Sequence, residues 1–190
     1  MTFEREHLKE LVECSAAALK VEDDYIEERY QNRPKWRHKR NGLREWTDER
    51  YYQSVIWRAL LGSKLPWRPE TESGGNRHDI AFYDDERGCL VAVVEIKGYW
   101  SPAGTETFKI ANDIREKLSR PDCAGIMLVL TQHPVNEAEG NCDRLAGELG
   151  IADDKKHISG FQTKPWAGQR GECRFDVIGF IVHEQVTTSA

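Results

Sequence analysis

The chain has no apolar stretch near the about 20 residues that a membrane-spanning helix requires. Its opening MTFEREHLKE lacks the apolar core of a secretory signal. Neither observation points to a membrane partner. The five cysteines, at positions 14, 89, 123, 142 and 173, form no C-x-x-C pair. That pattern supports neither a zinc site nor a disulfide framework, and it fits a reducing, cytoplasmic compartment. Internal repeats and low-complexity segments are missing. So are the G-x-S-x-G elbow, the Walker A loop and the H-E-x-x-H helix, which leaves serine-hydrolase, P-loop and zincin chemistry without support. Nor is there an excess of basic charge. The formal net charge is −5 and the isoelectric point near 5.7, which argues against a protein that coats nucleic acid non-specifically. A local basic cleft is compatible with that total, because the field near a site matters more than the sum.

Of the 190 residues, 39% are hydrophobic and 31% charged, as in a globular protein. The length suits one domain with a small appendage. The most informative stretch is His78 to Trp100, HDIAFYDDERGCLVAVVEIKGYW. Two strand-like runs, Asp79 to Tyr83 and Cys89 to Gly98, flank the polar turn Asp84-Asp85-Glu86-Arg87-Gly88. Period-2 geometry puts Leu90, Ala92, Val94 and Ile96 on one face of the second run. Val91, Val93, Glu95 and Lys97 fall on the other. A strand apolar on both faces is central, and charges at its end are costly unless paired, hydrated or bound to metal. A hairpin at 84–88 would return Asp79 to the end of the sheet that carries Glu95. Two carboxylates and a lysine then converge.

Asp79, followed by Glu95-Ile96-Lys97 at the end of the next strand, resembles the core signature of the PD-(D/E)XK nuclease superfamily, with its restriction-endonuclease-like fold. His78 stands where the signature has proline. The order of elements extends the resemblance from about Thr47 to Val186. It implies an α/β core over residues 47–190, with a mixed central sheet flanked by helices, and an N-terminal helical appendage over 1–46. It also implies a metal-dependent nuclease, with a DNA endonuclease as the leading expectation. Magnesium is the expected cofactor and manganese its substitute. Nucleic acid, DNA first, is the expected partner, and a homodimer is compatible with the family. The alternative is a non-catalytic module of the same fold that binds nucleic acid or a protein. The complete Asp-Glu-Lys set favours the enzyme.

Phosphodiester hydrolysis needs an activated water, charge neutralisation on the phosphate and help for the leaving oxygen. Magnesium supplies much of this through one or two carboxylates and substrate oxygens. Asp79 and Glu95 are suitable hard ligands, and the Ile96 carbonyl is a candidate third. Lys97 would orient or deprotonate the attacking water, or stabilise the transition state. Superfamily members often carry a glutamate on the helix before the sheet, and Glu49 matches it here. Glu70 and Glu72 compete for that role, and a first-turn glutamate also complements a helix dipole. Taken alone, Glu95 and Lys97 also read as a strand-end ion pair. His78 reads as a phosphate contact or a simple strand cap.

Phe3 to Lys20 has the spacing of an amphipathic helix, with Leu8, Leu11, Val12, Ser15 and Leu19 on one face. Glu22 to Gln31 reads as a second, acidic helix. Arg33, Lys35, Arg37, Lys39, Arg40 and Arg44 form the one dense basic run, in a loop marked by Pro34 and Asn41-Gly42. They are expected to contact backbone phosphate, with Trp36 as a stacking platform or an anchor. Helices are expected over Thr47 to Leu61, Thr105 to Arg120 and Asn136 to Leu149, the first capped by Thr47 or Asp48. Strands are expected over Leu65 to Glu72, Ala124 to Thr131 and Arg174 to Val186. Lys109 and Asp113 are spaced as a solvated i, i+4 pair, with Lys109 a second candidate for phosphate. His133 and His157 have no ligand-spaced partner.

Overall fold

The computed structural model describes residues 2–31, 43, 48–71, 78–100, 105–120, 122–135, 138–163 and 172–184. Arg5–Gln31 contains neither glycine nor proline, and it forms one continuous helix, α1, of 27 residues. The expected break near Val21 does not occur. The polarity changes there, but nothing in the backbone chemistry stops a helix. Leu8, Leu11, Val12, Ser15 and Leu19 are fully buried, whereas Val21 and Tyr25 are exposed. Helix α2 (Glu49–Leu60) starts at Asp48, whose carboxylate accepts from Tyr51 N at 2.9 Å. That bond satisfies one of the free amides of the first turn.

Among the described residues six strands build one mixed sheet: β1 (Arg68–Glu70), β2 (Ile80–Asp84), β3 (Cys89–Gly98), β4 (Ala124–Pro134), β5 (Lys156–Thr163) and β6 (Cys173–His183). Their order is β1-β2-β3-β4-β6-β5, and every pair is antiparallel except β3–β4. A parallel pair needs a crossover. Here it contains α3 (Thr105–Asp113) and a π-helical turn (Ile114–Leu118). Helix α4 (Ala138–Leu149) lies between β4 and β5. One face of the sheet buries Phe82, Val94, Ile96, Leu128 and Phe175 against Leu11 of α1 and Tyr52 and Ile56 of α2. The other buries Val93, Met127, Val129 and Phe180 against Ile110, Leu118 and Leu145. A mixed sheet covered by helices on both faces is the α/β class expected.

Helix α1 packs across β6 where Gly179 has no side chain; a Cβ there would run into Val12 and Leu8. The apolar face of α1 thus belongs to the same core as β3 and β4. The boundary expected after Trp46 lies outside the described residues.

Three local features depart from the pattern of the sequence. Strand β5 was not expected, because KHISGFQT shows no apolar alternation; among the described residues it is an edge strand that pairs only with β6. Strand β1 is three residues rather than eight. Pro69 within it has no amide to donate and is tolerated at the sheet edge. Val91 is an extra residue opposite the step from Phe82 to Tyr83, which pair with Ala92 and Leu90. This bulge turns Val91 toward α1 and α2 and Leu90 toward the opposite core, the reverse of simple alternation.

Candidate active site

The turn between β2 and β3 closes as the spacing predicts. Gly88 N donates to Asp84 O at 2.8 Å. The Asp84 carboxylate accepts from the amides of Glu86 and Arg87, each at 3.1 Å. The hairpin carries Asp79 back to the far end of β3. There Asp79 N donates to Val94 O at 3.0 Å, and Asp79 Oδ2 accepts from Ile96 N at 2.6 Å. The two bonds bracket Glu95. Gln53 of α2 donates from Nε2 to Asp79 O at 2.6 Å and fixes the same residue from the helix side.

Beyond the bulge, β3 alternates regularly. Ala92, Val94 and Ile96 enter the core under α1 and α2, and Val93 enters the other. Glu95 and Lys97 share the face of Val93. Glu95 is 1% exposed. Its Oε2 accepts from Lys117 Nζ at 2.8 Å. Its Oε1 has no hydrogen-bond partner among the described residues. His78 Nδ1, itself buried, lies 3.6 Å from Oε1, too far for a hydrogen bond. On its other side, His78 Nε2 is 3.5 Å from the Arg120 guanidinium. Lys97 Nζ sits 3.4 Å from Glu49 Oε2 and 3.3 Å from Asp113 Oδ2. Asp113 Oδ1 is in turn 3.5 Å from Lys117 Nζ.

The structure therefore gathers Glu49, Asp79, Glu95 and Lys97, and adds Gln53, His78, Asp113 and Lys117. Glu49 is 55% exposed and touches the lysine from the first turn of α2. Of its competitors, Glu70 is paired with Arg68 on β1, and Glu72 lies outside the described residues. Asp113 turns to Lys97 and Lys117, while Lys109 is exposed. Gln53 and Lys117 had weak signals in the sequence: each lies four residues after a residue of the cluster, Glu49 and Asp113, on the same helical face. Arg33, Lys35, Trp36, Arg37, Lys39, Arg40 and Arg44 lie outside the described residues. Leu43 alone of that stretch is described, and it is fully buried. Its amide donates to Asp23 of α1 at 3.3 Å, and its carbonyl accepts from Tyr52 of α2 at 2.9 Å. His133, on β4, is bound to Asp176 at 2.6 Å in a separate buried pair.

Burial, and then the neighbouring Glu95 charge, raise Asp79 to about 6, against the opposing pull of the Ile96 amide and the two lysines. Burial also disfavours the Lys97 ammonium, but Glu49, Asp113 and Asp79 outweigh it, and Lys97 is held above its ordinary value. The consequence for stability has a definite sign. The folded state keeps the Asp79 proton to about pH 6, while the unfolded chain loses it near 3.8. The folded state therefore loses stability as pH rises between these values, and the full cost persists above pH 6. Asparagine keeps an acceptor for Ile96 N and carries no charge. At pH 8, Asp79→Asn is expected to be more stable than the parent by on the order of 1–3 kcal/mol. The gain should shrink toward zero near pH 4. Urea unfolding at both pH values checks this, and a pH-independent difference contradicts it.

A divalent cation fits these residues in one respect that is visible without it. Glu95 Oε1 is a buried carboxylate oxygen with no donor, and such an oxygen is costly to leave unmatched. With Asp79 ionised, the carboxylates of Glu49, Asp79, Glu95 and Asp113 outnumber the ammonium groups of Lys97 and Lys117 by two charges. Among the described residues no three acidic, histidine or cysteine side chains form a ready ligand set. Magnesium does not demand one; it is commonly held by one or two carboxylates and keeps several waters. An antiparallel partner takes the amide and the carbonyl of a residue on the same side of its strand. The Ile96 carbonyl therefore points toward the Asp79 side, as its amide does.

No protein-family model, curated protein or solved structure matches this chain. Among the described residues, no helix is long and apolar enough to cross a membrane.

Proposed function

We propose that this chain is a metal-dependent nuclease on a restriction-endonuclease-like core, and that it acts on DNA as an endonuclease. The observation that carries the reading is the placement of Asp79 by Val94 O and Ile96 N on either side of Glu95, with Lys97 two residues further along a central strand. The succession α2-β1-β2-β3-α3-β4, with β4 returning parallel to β3, supports the same core.

Asp79 and Glu95 would hold magnesium or manganese, with the Ile96 carbonyl as a further ligand. Such an ion supplies a Lewis acid for the phosphate and a more acidic bound water. Lys97 acts as a cation. Glu49, Asp113 and Asp79 favour its ammonium form in the metal-free protein, and as a cation Lys97 would stabilise charge developing on phosphate oxygens and orient the attacking water. Glu49 and Asp113 fix its position from α2 and α3. Gln53 and the Ile96 amide hold Asp79 in place.

The substrate class is tested with closed circular duplex DNA, circular single-stranded DNA and RNA, each with magnesium and with chelator. Magnesium-dependent nicking of the closed duplex is expected. Cleavage confined to RNA, or to free ends, contradicts the DNA-endonuclease reading.

The basic run supplies the expected phosphate contacts. Each contact removed by alanine at Arg33, Lys35, Arg37, Lys39, Arg40 or Arg44 should flatten the salt dependence of duplex binding by about 0.9 in log–log slope. An unchanged slope after all six replacements rules the run out as the DNA contact.

A further inference from the structure

Among the described residues Lys117 is the one cation bonded to Glu95, and no role for it was expected from the sequence. It lies on a π-helical turn whose backbone is fixed in three ways. Leu118, next in the chain, is fully buried. The Leu118 carbonyl lies so close over Gly125 of β4 that any Cβ there would collide with it. Ser119 Oγ donates to Ile114 O at 3.1 Å and closes the turn. Gly125 pairs with Val93, two residues before Glu95 on β3, so the turn is seated beside the site. The backbone is held, whereas the side chain is partly open to solvent: Lys117 is 37% exposed, against 1% for Glu95. Its flexible four-carbon stem can move the charge without moving the turn.

The surroundings give that movement a start and an end. Lys117 Nζ is 2.8 Å from Glu95 Oε2 and 3.5 Å from Asp113 Oδ1. A small swing would exchange one carboxylate for the other. The same Glu95 would be the ligand of a divalent ion, and a dication beside an ammonium on one buried carboxylate is repelled by it.

We propose that Lys117 is an exchangeable counter-cation for Glu95. Its ammonium neutralises the buried carboxylate in the metal-free protein and passes to Asp113 when a divalent ion binds. Lys117 is thus a positioning residue that sets metal affinity. The inference rests on the reading of Asp79 and Glu95 as metal ligands. It assigns to a lysine on the crossover a role distinct from that of Lys97, which touches Glu49 and Asp113 instead.

The test uses the full chain without DNA. Lysine-labelled protein is observed by NMR, with the Lys117 ammonium signal assigned by its loss in Lys117→Met. The signal is expected to shift in proportion to bound magnesium. By manganese calorimetry, Lys117→Met and Lys117→Gln should each bind about tenfold tighter or more, because a competitor and a like charge are both removed. Lys97→Met should tighten binding less. A Lys117 signal unmoved at saturating magnesium, or an affinity unchanged or weakened in both Lys117 variants, overturns the exchange. In that case metal uptake by the parent leaves the metal site standing. A parent that takes up no divalent ion ends the metal-site reading and the exchange together.

Discussion

Replacement of Asp79 by asparagine, or of Glu95 by glutamine, is expected to abolish cleavage. Each change removes the negative charge that a hard dication requires while leaving shape and hydrogen-bonding capacity nearly intact. Asparagine still accepts from Ile96 N, the bond that Asp79 makes at 2.6 Å. Glutamine still accepts from Lys117, which bonds Glu95 at 2.8 Å. Loss of a partner behind a metal ligand commonly costs 10–100-fold in affinity or activity, so loss of a ligand charge should cost more than about 100-fold in both. The expected manganese titration of either variant is flat, beside cleavage indistinguishable from the uncatalysed background. The unfolding midpoint keeps a folding defect apart: Asp79→Asn should gain stability at pH 8 while losing activity. An Asp79→Asn protein that binds manganese and cuts like the parent would end the nuclease-site reading.

Lys97→Ala is expected to separate chemistry from metal binding. Lysine is not a metal ligand, and its nearest partners here are Glu49 at 3.4 Å and Asp113 at 3.3 Å. Manganese affinity should be retained or modestly improved, since a like charge is removed. Single-turnover cleavage should fall by about 10²–10⁴-fold, the range for a positioned proton-transfer or charge-stabilising group, and further if Lys97 bears on both water and phosphate. DNA binding should survive better than cleavage. Full activity in Lys97→Ala would leave Asp79 and Glu95 standing and remove only the role of the lysine.

Short-range chemistry was legible in the sequence. The Asp84-to-Gly88 turn, the Asp48 cap and the strict alternation from Ala92 to Lys97 each follow from a few adjacent residues. Together they bring Asp79 to the end of β3 beside Glu95. What escaped depends on contacts between distant segments. Strand β5 is polar and becomes a strand only because β6 offers it an edge. The bulge at Val91 is set by its pairing with β2, and nothing in LVAVV marks it. The turn at Ile114–Leu118 widens to π where Leu118 meets Gly125, a residue seven positions later on another element. Lys117, carried on that turn, reaches Glu95, and Asp113 pairs with the two site lysines. Helix α1 looked divided because its acidic second half hides that Asp23, 4% exposed, is anchored by Thr163 and Leu43.

Anomalous diffraction from crystals grown with manganese tests most directly whether Asp79 and Glu95 share an ion. The expected map has a manganese peak in contact with both carboxylates, with the Ile96 carbonyl among its ligands and Lys97 outside the coordination shell. Manganese bound elsewhere, or no peak at these carboxylates at a concentration that supports cleavage, would contradict the assignment.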